Sequence, residues 1–354
     1  MLPETPWESR TGAVRSPAGA RGVPRSGSKA RWFTWLFGLA VLGAVVLAAA
    51  HFSEGRQLVE HARHVQPRWI LVAALLQAAT YLGQGQIWRM VTRAGNVPVG
   101  MATAYRLSIA RLFIDQALPS AGLSGTVVMV KSLEQQGIPL PVVMAGVAID
   151  TASCYATYVV GLLAALAVSL AQHQATRLVL LVAVPFVPFA LALTVGFVRL
   201  AGRPAGPLAR RLARFRFLRR GLYLLEQADP RLAASPGLLV RASVCQLAVI
   251  LLDAATIWVL ILGLGITPST GGVFVSFMIS TLARLVGIAP GGLGTYEATS
   301  VLTLSMVGVS VPVALSATLL FRGMSFWLPL LPGLLFSRRY MAPRVRRRTY
   351  STEA

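Results

Sequence analysis

Acidic residues are scarce in this sequence. Its 354 residues hold 12 Asp and Glu against 33 Lys and Arg, a formal charge of +21. Charge of either sign is also rare: 13% of the chain is charged and 55% is hydrophobic, whereas soluble domains carry about a quarter charged residues. This shortage excludes an ordinary soluble enzyme and a disordered chain. Only two cysteines are present, which excludes a disulfide scaffold. Cys154 and Cys245 lie inside apolar stretches and read as packing residues. No phosphate-binding glycine loop, zinc motif, nucleophile elbow or catalytic triad pattern occurs, so no catalytic residue, cofactor or metal is assigned.

What is present are apolar runs close to span length, which point to an all-α polytopic membrane protein. Residues 1–31, rich in Arg, Gly, Pro and Ser, read as a disordered basic tail. Trp32–Ala50 reads as a retained first helix; the alternative is a cleaved leader, since Ala48-Ala49-Ala50 resembles a cleavage site. Further spans are expected over Trp69–Trp88, Val142–Ala171, Arg177–Val198, Leu238–Leu264 and Pro312–Phe336, making six. The basic residues gather in the N-terminal tail, in a loop over 201–236 and in the C-terminal tail, 338–354. That distribution argues against nucleic acid as partner. By the positive-inside rule it makes both termini cytoplasmic in a bacterial cytoplasmic membrane. In the loop, Leu208, Leu212, Phe215, Leu222 and Leu225 form a stripe flanked by Arg210, Arg211, Arg214 and Arg220, suited to anionic inner-leaflet lipid.

Two stretches, 103–136 and 270–309, must begin and end on the same side. Each carries a Pro/Gly cluster near its middle: Pro119 to Gly125 with Gly122, and Pro290-Gly291-Gly292-Leu293-Gly294. Proline lacks an amide donor and glycine weakens a helix. Both stretches therefore read as re-entrant broken-helix hairpins, one from each face. They belong to repeat halves of about 69–171 and 238–336. Trp88, Gly95 and Pro98 recur as Trp258, Gly265 and Pro268; Pro119, Gly137 and Pro141 recur as Pro290, Gly308 and Pro312. Opposite starting sides make this an inverted repeat, an architecture that places a binding site near the midplane.

Arg111, Asp115, Asp150, Arg284, Glu297 and Arg322 lie in or beside apolar segments, as does Asp253. A charge at the centre of a membrane helix costs roughly 2.5–3.5 kcal/mol, so these side chains should face a polar interior. One reading is a cavity that holds a lipid headgroup; the other is a set of internal salt bridges that locks the bundle. Asp253 is equally well read as a polar contact between helices. His51, His61 and His64 cluster in the first external segment and read as a solvated interfacial helix rather than a metal site.

The run Pro290 to Glu297, followed by Gly308, Pro312 to Leu315, and Arg322 to Pro329, resembles the lysylphosphatidylglycerol synthase transmembrane region, a flippase-like domain family. Gly122 and Gly137-Ile138-Pro139-Leu140 fit the same pattern, and in layout the resemblance covers residues 32–337. Two departures stand out. Thr151 follows Asp150 where the family usually has arginine, and Ala121-Gly122 replaces a Gly-Gly. The resemblance implies a domain that translocates a phospholipid, aminoacylated lipid or glycolipid, without the soluble aminoacyl-transferase part and hence without enzyme activity. The alternative is a non-transporting lipid-binding subunit that anchors a separate transferase. A homo-oligomer is compatible with either.

Overall fold

Proline and serine start the helices of this protein, and left-handed residues stop them. The computed structural model describes residues 66–117, 123–172, 176–204, 206, 216–286 and 290–341. The expected first span, the histidine segment, Pro119, Gly122 and residues 207–215 lie outside the described residues.

Helix α1, Pro67–Ala94, begins with proline in its first turn, where a missing N–H costs nothing. Helices α2 (Met101–Ala117) and α3 (Leu123–Glu134) follow, then the long α4 (Leu140–Gln172) and α5 (Thr176–Leu200). After α6 (Arg216–Glu226) and the single turn α7 (Pro230–Ala233) comes α8, Pro236–Gly263, whose Ser235 side chain accepts from Leu238 N–H. Helices α9 (Thr270–Val286) and α10 (Thr295–Met306) flank a 3-10 turn at Pro290–Gly292. Helix α11 (Val311–Arg322) runs through a π turn at Gly323–Trp327 into α12 (Leu328–Met341). The single last span expected from sequence is thus a helix with one widened turn.

Four helices end in one way. Asn96, Gly137, Gly265 and Gly308 have φ of 58°, 83°, 85° and 89°. In each, the left-handed residue donates its N–H three residues back and the following residue donates five back, as in Val97 to Thr92, Ile138 to Leu133, Ile266 to Ile261 and Val309 to Leu304. This is the Schellman motif, and an apolar residue follows each turn. A proline lies shortly beyond every one, at Pro98, Pro139, Pro268 and Pro312. The lengths recur as well: α1 and α8 have 28 residues, α2 and α9 have 17, α3 and α10 have 12.

Five segments among the described residues are long and apolar enough to cross a membrane: Pro67–Ala94, Leu140–Gln172, Arg177–Leu200, Pro236–Gly263 and Val311–Leu330. The 12-residue helices are too short to do so, at about 1.5 Å per residue. Helices α1 and α8 pack closely and run antiparallel, since Gln77 bonds Asp253 while Gln84 bonds Gln246. Around this pair, α4, α9 and α11 bury Leu162, Met278, Leu260 and Ala314 in the main core. Helix α2 packs on α12, and α9 packs on α4.

At Gly85, α1 comes so near α2 that a Cβ would stand 3.2 Å from the backbone nitrogen of Tyr105. Backbone cannot swing aside as a side chain can. Gly85→Val should therefore destabilise the protein by about 1–3 kcal/mol, read as a lower melting temperature in detergent. Gly196→Ala, where a Cβ meets nothing within 4 Å, should leave melting unchanged or raise it.

Candidate functional site

The site is built from side chains that close the broken helices. In the second break, Gly291, Gly292 and Gly294 have φ of 61°, 67° and 84°, a region that favours glycine. The chain turns there tightly enough for Phe326 to lie against Gly291 and Arg284 against Gly292. Helix α10 then starts with unpaired amides, and Glu297 in its first turn reaches back to accept from Gly294 N–H at 2.6 Å.

The second oxygen of Glu297 accepts from Nε of Arg322 at 2.6 Å. Arg322 also donates an Nη hydrogen to the carbonyl of Gly291 at 3.0 Å. One arginine from α11 thus ties down both sides of the break. Its guanidinium lies 4.4 Å from the ring centroid of Phe326 and 5.3 Å from that of Tyr296. The π turn that follows Arg322 brings Phe326 under the same guanidinium. Arg322 and Glu297 are 4% and 1% exposed, so the pair is desolvated and held by charge-assisted bonds.

The first break has a related brace. Arg111 on α2 pairs with Asp150 on α4 and lies 3.6 Å from Asp115, one turn further along α2. Asp115 in turn accepts from Gly125 N–H at 2.8 Å, in the first turn of α3. The free oxygen of Asp150 accepts from Gln246 at 3.2 Å, and Gln246 accepts from Gln84 at 2.9 Å. A chain of polar groups therefore runs from α2 through α4 and α8 to α1.

Arg284 differs from the other two arginines. It is half-buried and has no ion pair among the described residues. Its electrostatic neighbours are Asp253, Tyr158, Cys154, Tyr296 and Arg322. Cys154 also neighbours Arg111 and Asp150, so the two braces flank one polar interior. Asp253 accepts from Gln77 at 2.8 Å, which makes it an interhelical contact as its sequence position allows. Cys154 and Cys245 are free thiols. No group of metal-ligating side chains occurs among the described residues.

Of the six ionisable residues expected from sequence, Asp150, Glu297 and Arg322 are buried, and Arg111, Asp115 and Arg284 are half-buried. Arg111, Asp115 and Asp150 form one group, Glu297 and Arg322 a second, and Arg284 stands beside the second. Sequence reading passed over Gln77, Gln84 and Gln246, and the tyrosines Tyr81, Tyr158 and Tyr296. A usable signal existed: Gln77 and Gln84 stand two helical turns apart inside an apolar helix, and polar groups at membrane depth need partners.

Removing one member of a buried ion pair strands the other. Glu297→Ala or Arg322→Met alone should cost about 3–5 kcal/mol. The double replacement Glu297→Leu with Arg322→Met should cost clearly less than the sum of the two. Thermal unfolding of all three variants in detergent checks this.

Two comparisons bear on the arrangement. The family model of the lysylphosphatidylglycerol synthase transmembrane region matches residues 35–333. A "UPF0104 membrane protein" of Methanothermobacter thermautotrophicus is 25% identical over 307 residues, covering 82% of this chain and 91% of that protein. With most of the chain matched and its apolar helices arranged as spans, this is a multi-pass helical membrane protein that belongs to the lysylphosphatidylglycerol synthase transmembrane region family.

Proposed function

We propose that this protein translocates a lipid across the membrane, its headgroup passing through the polar interior between two helix-break-helix units. The observation that carries this reading is the set of arginines and carboxylates turned inward across both breaks. Lipid-facing charges would be costly at membrane depth; charges that line an internal path are tolerated, and mark sites of function. Arg111 and Arg322 serve as braces, each neutralised by carboxylate. Arg284 carries the open charge, suited to a lipid phosphate.

Several features support an inverted repeat. Pro67 and Pro236 start helices of equal length. At the same separation along the chain, Gln77 corresponds to Gln246, Gln84 to Asp253, Met101 to Thr270, and the left-handed Asn96 to Gly265. In that register the Gln77–Asp253 contact maps onto the Gln246–Gln84 contact, as a two-fold axis between α1 and α8 requires. Trp88 then corresponds to Ile257, so its sequence match to Trp258 is one position out of frame: helix starts and stops define the register, not the aromatic ring. The short pairs α2–α3 and α9–α10 fit re-entrant hairpins from opposite faces. With a sixth span before Pro67, both termini are cytoplasmic. Exchange of access between the two sides would then come from rocking one unit against the other.

The test is headgroup accessibility in proteoliposomes. Folded protein should speed the transbilayer movement of at least one lipid among phosphatidylglycerol, phosphatidylethanolamine, an aminoacylated phosphatidylglycerol and a polyprenyl phosphate. Arg284→Gln should abolish that movement while the protein still inserts. Failure of folded wild-type protein to move any of the four defeats the proposal.

A further inference from the structure

Three polar groups in the interior stand outside the ion pairs that form the braces, although Arg284 shares a side-chain hydrogen bond with Tyr158. Arg284 has no ion pair among the described residues. Tyr296 is 2% exposed, yet its hydroxyl has no hydrogen-bond partner among the described residues. Among the described residues, Asp253 has one donor, Gln77 Nε2 on its Oδ1, and no ion pair. The three neighbour one another electrostatically: Asp253 acts on Tyr296 and is acted on by Arg284, which also acts on Tyr296. They come from α8, α9 and α10, so the group assembles only where those helices meet.

Among the described residues, the charged or titratable groups that interact with Asp253 are Tyr81 on α1, Arg284 on α9 and Tyr296 on α10, and the neutral amide of Gln77 on α1 donates a hydrogen bond to it. Arg322 on α11, and Tyr158 and Cys154 on α4, act on Arg284 rather than on Asp253. Among the described residues, Arg284 is therefore the one cation whose charge acts on Asp253. A phosphate bound to Arg284 would compete for it, and an unbalanced carboxylate in a dry interior is expensive.

We infer that Arg284, Asp253 and Tyr296 form a site that takes up a phosphodiester headgroup together with one proton, the proton residing on Asp253. This rests on the translocation reading and adds its driving force. In the empty site, Asp253 carboxylate balances Arg284. In the loaded site, the phosphodiester oxygen occupies Arg284, the Tyr296 hydroxyl donates to that oxygen, and Asp253 is a neutral acid. One proton and one anion enter together and leave together, so the site is neutral in both states. Movement between leaflets then responds to a pH difference and not to the membrane potential.

The sign follows from linkage. Binding that takes up a proton weakens as pH rises, by up to about tenfold per pH unit above the carboxyl's own midpoint. The experiment is calorimetric titration of the full chain in uncharged detergent with dihexanoylphosphatidylglycerol, in two buffers of different ionisation heat. Wild type should take up a proton with each ligand, approaching one at the alkaline end. Asp253→Asn should bind without proton uptake and with affinity that no longer varies with pH. Arg284→Gln should lose about tenfold or more in affinity. As a check that needs no variant, infrared difference spectra of wild type should gain a protonated-carboxyl stretch when the probe is added.

Binding that is independent of pH, with no proton uptake and no new carboxyl band, overturns the proton linkage and leaves translocation standing. Proton uptake that persists in folded Asp253→Asn overturns the assignment to Asp253. Absence of any probe binding by folded wild type at any pH overturns the phosphodiester site and the headgroup reading with it.

Discussion

The pairing of Arg322 with Glu297 is the interaction on which the rest depends. A helix that stops among buried side chains exposes amides at one end and carbonyls at the other, and these need partners. Glu297 takes the Gly294 amide, Arg322 takes the Gly291 carbonyl, and the two side chains neutralise each other. Loss of either leaves a charge and a backbone group unpaired together. Around this brace the glycines can hold left-handed turns, and α10 can start where it does.

The first break solves the same problem with different parts. Its carboxylate, Asp115, precedes the break and caps forward to Gly125, where Glu297 follows its break and caps backward. Its arginine, Arg111, pairs with a second acid, Asp150, which two glutamines connect to α8 and α1. Both solutions leave their arginine neutralised. The contrast is what makes Arg284 informative: the same residue type, with no carboxylate in ion-pair contact among the described residues and only the electrostatic influence of Asp253. Residues that look alike in sequence thus stand in different surroundings, Arg111 and Arg322 in ion pairs and Arg284 outside one among the described residues.

The interior is polar rather than wet in character. Asp150, Gln246, Gln77, Thr256, Ser276 and Thr303 are all buried, and most are joined in interhelical hydrogen bonds. A network that satisfies its own members keeps charged groups inside without forcing them toward lipid. Large exposed apolar residues such as Leu71, Leu181 and Val244 fall on the outward faces, as expected where hydrocarbon is the solvent.

Much of this was legible in the sequence alone. Apolar runs and scarce acid marked a polytopic membrane protein, and Pro290 to Gly294 marked a break, because proline lacks an amide donor and glycine favours left-handed backbone. That none of the six charged side chains would stand fully exposed followed from the cost of the alternative. Tertiary structure decided the partners. Arg111 could have paired with Asp115 alone, four residues away; Asp150, 39 positions on, became its partner only when α2 met α4. Likewise no single motif joins Arg284, Asp253 and Tyr296, for they lie on three helices. Local chemistry dictates where a chain can bend or cross a membrane, whereas the balance of one charge by another depends on distances that only packing sets.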